Sequence, residues 1–317
     1  MLPIPELPIA RFIFEFSYEG SVQLPDFTGS TWRGALGQAL KKTICVVRHT
    51  DCEACMLYAN CAYPYLFETP LPIHAQKMRL YTKAPHPFVI KTLFQEQPAP
   101  QRLWLGLHLF GDSYRYLPYF IHALERAGNY GMGKYKQIFS LETVATLNEH
   151  QQSEIIYSTK NKRLSPIKPS LMVIPACPTQ VRIHLQSPLR AKVNEACSVP
   201  KTFSFSVFFG QVLRRISMLS YFHTQHALDT DFAYLTNQAK TIALTDIDLN
   251  WQDWRRYSSR QQTAMNMGGL VGSFTLSGEL HEFWPYLWLG QWTHVGKGTS
   301  MGLGIYTIES TSLPDLS

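Results

Sequence analysis

Apolar and polar positions alternate over residues 11–18 (RFIFEFSY), the period-two signature of a half-buried strand. The period then lengthens. Trp32, Leu36 and Leu40 fall four apart on one helix face, behind Ser30 as the expected N-cap. Residues 87–94 and 102–110 read as two further strands, residues 113–127 as a second helix and residues 137–146 as a closing strand. A glycine-rich turn, Gly128 to Lys134, precedes that last strand. Residues 151–178 turn polar and then proline-rich, at Pro166, Pro169, Pro175 and Pro178, and read as a linker.

The order then repeats. A strand is expected over 180–185, a helix over 203–222, strands over 247–257 and 268–276, and a short helix over 280–289. A second glycine-rich stretch, residues 296–304, leads into a strand over 305–309. Two β-α-β-β-α-β halves predict an α+β chain of two tandem ferredoxin-like domains, each with a glycine-rich loop before its last strand. The expected boundaries are 1–150 for the first domain, 151–178 for the linker and 179–317 for the second domain. RNA-recognition domains use this element order.

Composition narrows the function classes. Hydrophobic residues are 45% of the 317 and charged residues 16%, so the chain builds cores instead of staying disordered. The net charge of +6 is a mild basic excess, compatible with a polyanionic partner. Aromatic residues are plentiful (16 Tyr, 18 Phe, 7 Trp), enough to fill two cores and leave rings for stacking on bases. No run of about 18 uncharged apolar residues is present, and MLPIPELPIA lacks the basic n-region of a secretory signal. Four of the six cysteines crowd into residues 45–61 instead of spreading as a disulfide framework, so a reducing cytoplasm is the expected location, with no membrane partner.

Two stretches carry candidate chemistry. Thr293-His294-Val295-Gly296-Lys297-Gly298-Thr299-Ser300-Met301-Gly302-Leu303-Gly304 holds four glycines in nine residues. Such a loop reaches backbone conformations closed to other residues, and its N–H groups can line a nest for phosphate oxygens, with Lys297 adding charge. The glycine spacing is not that of a Walker A loop, and a helix-to-strand position is the reverse of a dinucleotide fingerprint. The expected backbone contacts are Gly296, Gly298, Thr299, Ser300, Gly302 and Gly304. The second stretch is Cys45-x6-Cys52-x2-Cys55-x5-Cys61. Four thiols in 17 residues suit one tetrahedral metal: structural zinc first, an iron–sulfur cluster second. Four cysteine ligands leave no open coordination position, so no metal is expected in catalysis.

The glycine-rich stretch resembles the C-terminal signature of the RAMP superfamily, specifically the CRISPR-associated endoribonucleases that cut precursor CRISPR RNA within its repeats. Three further stretches resemble the same family: residues 30–37 (STWRGALG), residues 61–70 (CAYPYLFETP), and residues 256–261 with Gly268-Gly269-Leu270. The resemblance implies a metal-independent cut, in which a ribose 2′-OH attacks the adjacent phosphate and leaves a 2′,3′-cyclic phosphate and a 5′-OH. Its implied partners are CRISPR repeat RNA, as precursor and processed guide, and other CRISPR effector subunits. The alternative is a non-catalytic RAMP subunit that keeps only the RNA grip.

The cut needs groups that take and give protons and cations that stabilise the phosphorane, and histidine suits either proton role. Among 11 histidines, His294 beside the glycine loop is the first candidate, with Tyr257 and Lys297 as partners. His49, after the first helix, is the second; the family's catalytic histidine falls in that region, here occupied by the cysteines. His223 and His226 end a helix and read as capping or solvated. Arg33, Lys134, Arg255, Arg256 and Arg260 are the expected RNA-binding side chains.

Overall fold

The computed structural model describes residues 5–20, 27–48, 50–72, 83–92, 101–133, 135–148, 152–193, 196–224, 226–258 and 263–311. The chain divides into two units, one of residues 8–171 with 222–225, the other of residues 1–7, 172–221 and 226–317.

The unit of residues 8–171 contains β1 (Ile9–Ser17), α1 (Gly29–Ile44), β2 (Phe88–Thr92), β3 (Arg102–Phe110), α2 (Leu117–Tyr130), β4 (Ser140–Leu147) and β5 (Ser153–Ser158). Its antiparallel sheet runs β2-β3-β1-β4-β5, the ferredoxin-like order with one strand added. Register places Phe12 opposite Leu107, Phe14 opposite Leu105 and Phe16 opposite Leu103, all buried on one face. Cross-strand aromatic–aliphatic pairs of this kind are the unit of sheet stability. Trp32, Leu36 and Leu40 of α1 and Phe120, Leu124 and Ala127 of α2 close over that face. Helix α1 starts two residues earlier than its pattern suggests: Thr28 is the N-cap, and Ser30 lies inside the first turn. Lys41 and Lys42 in its last turn face the negative end of the helix dipole.

The expected linker, residues 151–178, holds a strand. β5 pairs with β4, and Ile9 bonds Ser170, so this unit extends to residue 171 and not to 150. The cause is composition: β5 reads SEIIYS and buries only Ile156 fully, so no alternation marks it.

The other unit contains β6 (Gln180–Leu189), β7 (Lys192–Val193), β8 (Ala196–Cys197), α3 (Phe205–His223, its last two residues grouping with the first unit), α4 (Phe232–Gln238), β9 (Ala243–Gln252), β10 (Arg255–Ser258), β11 (Thr263–Asn266), β12 (Gly269–Ser277), α5 (Trp284–Thr293) and β13 (Tyr306–Thr311). Its main sheet runs β13-β6-β12-β9, the ferredoxin-like order again. The chain is therefore α+β with tandem ferredoxin-like domains. Phe205, Phe208, Phe209, Val212, Leu213, Ile216 and Leu219 form the buried stripe of α3 at helical spacing. Phe208 packs edge-on against Phe274 and Tyr306, at 5.5 and 5.2 Å. The strand expected over 247–257 is two strands. Trp251 donates its ring N–H to Asp253 at 2.8 Å, the chain turns there, and β10 leaves to pair with β11. No helix among the described residues is long and apolar enough to cross a membrane.

Candidate nucleic-acid interface

The glycine loop grows from the end of α5. Val295 N–H donates to Gly304 O at 3.0 Å and closes the loop's neck, and Gly304 N–H donates to Pro188 O at 3.1 Å. Lys297 N–H reaches Arg190 O at 3.1 Å, and Ile305 N–H reaches Ser187 Oγ at 2.8 Å. Inside, Gly298 and Gly302 hold left-handed backbone at either end of a single tight turn, Thr299–Met301. Met301, Gly302 and Leu303 donate to carbonyls within that turn.

These bonds occupy two of the backbone contacts expected from the sequence, the N–H groups of Gly302 and Gly304. The N–H groups of Lys297, Met301, Gly302, Leu303 and Gly304 already have protein acceptors. The Thr299 and Ser300 side chains are buried. What the loop offers is a rigid base for Lys297, whose side chain is exposed.

His294 lies at the root of the loop, with φ +56° and no exposed surface. A catalytic imidazole has to come within hydrogen-bond reach of its proton. This one is buried at the root of the loop. Beside it, Arg215 Nε donates to Thr293 O at 3.2 Å, setting a buried cation on the negative end of α5. Burial pushes that guanidinium down to about 9, which leaves it charged at neutral pH. Arg190, not picked out by the sequence, is partly buried; its Nη1 lies 3.3 Å from Met267 Sδ, and its Nε is buried without a hydrogen-bond partner.

Arg255, Arg256 and Tyr257 lie on β10, in register with Asn266, Met265 and Ala264. Arg260, Lys134 and His49 lie outside the described residues.

A second constellation sits in the unit of residues 8–171. Arg33 Nη2 lies 2.9 Å from His86 Nε2, and Thr69 Oγ1 lies 3.2 Å from His86 Nδ1. The protons follow from the donors. Arginine only donates, so Nε2 is the acceptor. Thr69 Oγ1 gives its hydrogen to Ala84 O at 2.8 Å, so it accepts from Nδ1–H. His86 is thus neutral, with its lone pair at Nε2 facing a guanidinium. Its ring stacks on Phe88 (5.8 Å) and lies tilted against Phe67 (6.0 Å), which itself stacks on Phe88, and Arg33 Cζ sits 4.4 Å over Phe67. Gly37 permits this, because a β-carbon there would strike the Phe67 ring. Thr69 takes left-handed backbone, φ +46°, a strained conformation for a β-branched residue. His223 braces the segment: it is buried, and its Nε2–H donates to Pro85 O at 2.8 Å. His226 is exposed.

The cysteine segment follows α1. Cys45, Cys52, Cys55 and Cys61 are partly buried free thiols. Burial pushes the Cys52 thiol up; Lys41 opposes this, while Glu68, Cys45 and Cys61 add to it. Three of the four thiols therefore lie within electrostatic reach of one another. Among the described residues, however, no group of three or more Cys, His, Asp or Glu is placed to hold a metal ion, so the spacing alone has not assembled a site.

Comparison with known proteins places these parts. A family model named AF_1859_N, an N-terminal domain, matches residues 7–169. The model described as CRISPR-associated endoribonuclease Cas6 matches residues 183–306, which include the glycine loop. The chain belongs to the family of the AF_1859_N N-terminal domain, whose model covers just over half of it, and its later part is similar to Cas6. An uncharacterized protein of Archaeoglobus fulgidus is 24% identical over 180 residues, covering 55% of this chain and 59% of that relative. The chain thus spans about three-fifths of that relative's length. A Cas6 product complex matches with a TM-score of 0.57 at 14% identity, over 95% of this chain and 100% of the other. A partial Cas6-RT-Cas1–Cas2 complex matches with a TM-score of 0.56 at 14% identity, over 98% of this chain and 47% of the other. These two likenesses bear on the fold, which for Cas6 proteins is this tandem arrangement.

Proposed function

We propose that this protein acts as a Cas6-type endoribonuclease, binding CRISPR repeat RNA and cutting the precursor transcript into guide RNAs by metal-independent 2′-OH attack. The observation that carries the reading is the Arg33–His86–Thr69 arrangement: an imidazole whose Nδ1–H is held by Thr69 and whose Nε2 accepts from a guanidinium. In the proposed step Arg33 transfers its hydrogen bonds from His86 to a non-bridging phosphate oxygen. The freed Nε2 takes the proton of the 2′-OH, and the 2′-oxygen attacks phosphorus. The bond from phosphorus to the 5′-oxygen breaks, that oxygen takes a proton from solvent water, and the His86 imidazolium then returns its proton to solvent. The products are a 2′,3′-cyclic phosphate and a 5′-OH. Thr69 holds Nδ1–H throughout and steadies the imidazolium as it forms. Lys297 on its rigid loop and the arginines of β10 are proposed to hold the RNA backbone, and Tyr257 a base or a proton.

The matched complexes are a Cas6 product complex and a Cas6-RT-Cas1–Cas2 complex, so RNA and other CRISPR proteins are the proposed partners. The second reading, a binding subunit without cleavage, draws on the burial of His294 and on Arg33 already occupying His86 Nε2. The test is end-labelled repeat RNA incubated with the protein in EDTA. The expected result is one discrete cut whose 5′ fragment ends in a cyclic phosphate. Tight binding with no cut at any protein excess selects the second reading.

The cysteine segment is proposed as a structural zinc site that closes when the metal binds, with an iron–sulfur cluster as the other outcome. The donor chemistry fits. The expected result is one zinc per chain by elemental analysis of protein purified without chelator, and a lowered Tm without loss of the cut in Cys52→Ser. Protein with neither zinc nor iron removes the proposal.

A further inference from the structure

Helices α1 and α2 end side by side, and their last turns build a surface that the glycine loop and the Arg33–His86 pair leave unexplained. Tyr130, the last residue of α2, is 58% exposed. Lys42 Nζ lies 5.0 Å and Arg126 Cζ 5.6 Å from the centre of its ring, and Arg126 Nη2 donates to its phenol oxygen at 3.4 Å. Neither cation has a carboxylate within ion-pair distance among the described residues. The phenol's acidity is raised first by the Arg126 hydrogen bond, then by the charges of Arg126 and Lys42; no acidic group contributes. Next along the chain, Gly131 (φ +79°) turns the backbone into a short hairpin closed by Met132 and Gln137, which exchange bonds of 2.8 and 3.0 Å. That hairpin displays Tyr135, 64% exposed, and Lys136.

We propose that Tyr130, flanked by Lys42 and Arg126, is a stacking platform for an unpaired nucleotide of the bound RNA, with Tyr135 and Lys136 extending it along the strand. The proposal rests on the RNA-binding part of the reading above and not on cleavage.

The two helix ends explain part of the charge, since cations favour helix C-termini. They do not explain the ring. A solvated tyrosine needs no cations over its face, and two hydrated cations converging on one exposed ring repel each other until an anion joins them. A nucleotide satisfies both features at once, because its base stacks on the ring while its phosphate lies between the cations. Single-stranded RNA fits better than duplex RNA, since only an unstacked base presents a free π-face. An acidic protein segment would meet the cations but leave the ring unused.

The experiment measures binding of fluorescein-labelled single-stranded repeat RNA to wild type, Tyr130→Ala, Tyr130→Phe and the Lys42→Ala/Arg126→Ala double variant. Poly(U) is the generic single-strand probe and a poly-glutamate peptide the acidic-protein probe. Base–aromatic stacking predicts a roughly 5- to 150-fold loss of affinity in Tyr130→Ala, with Tyr130→Phe close to wild type. The double variant is expected to flatten the slope of log affinity against log salt by about 1.4, from two contacts to a single strand. An unchanged Tm shows that Tyr130→Ala is folded. Tyr130→Ala within twofold of wild type overturns the platform, as does a surface that takes poly-glutamate in preference to RNA. A wild type that binds poly(U) through Tyr130 yet never cuts repeat RNA keeps the platform and removes the cleavage reading. A wild type that binds neither RNA overturns both.

Discussion

His86→Ala is expected to slow single-turnover cleavage of repeat RNA by about 10²- to 10⁴-fold, the usual contribution of a general acid or base, while binding changes little. The distinction matters because Arg33, His86 and Thr69 also hold one another in place. A purely structural role would lower Tm and weaken binding together with the rate. His86→Gln separates the two: its side chain can still accept from Arg33 but cannot carry the proton, so it should keep the fold and remain slow. Arg33→Ala should weaken binding and rate together, since Arg33 is assigned to the phosphate and also rests on Phe67. His294→Ala is the contrast. That ring is fully buried, so its removal should reduce Tm and leave the rate of the folded fraction nearly intact. Normal cutting by His86→Ala, with loss in His49→Ala, would move the chemistry to the segment after α1 and end the present assignment.

The fold was legible because both halves alternate or repeat at clear periods, and because each core takes its residues from those periods. The strands of Phe12, Phe14 and Phe16 and of Leu103, Leu105 and Leu107 are examples. β5 was not legible, since an edge strand that buries one side chain fully carries no alternation. The site was harder. His294 drew attention by standing next to the glycines, but adjacency along a chain says nothing about exposure, and a left-handed turn at that residue sends its ring inward. His86 gave the opposite signal. It lies between Pro85 and Pro87, outside every motif, and its chemistry comes from residues 17 and 53 positions away. The only local hint was the prolines themselves, which hold a histidine in extended backbone at the entrance to a strand.

Gly304→Ala should destabilise its unit by about 3–5 kcal/mol, a loss of roughly 6–20 °C in Tm, and should remove the glycine loop as a base for Lys297. Two costs add. At φ +69° any side chain strains the backbone, at about 1–2 kcal/mol. In addition, a β-carbon at 304 would run into the carbonyl of Val295, the group next to the bond that closes the loop's neck. Relief requires the neck to open, and with it go the bonds from Val295 to Gly304 and from Gly304 to Pro188. Gly133→Ala isolates the first cost. Gly133 has φ +73°, but nothing lies within 4 Å of where its β-carbon would stand, so only the backbone term applies. Thermal unfolding of the two variants side by side checks the argument: a small shift for Gly133→Ala and a shift several times larger for Gly304→Ala. Equal shifts would mean that the loop relaxes freely and is not the rigid support that Lys297 requires. Repeat-RNA binding of Gly304→Ala well below its Tm then reads the functional half. Wild-type affinity in a folded Gly304→Ala protein would remove the loop from the RNA interface.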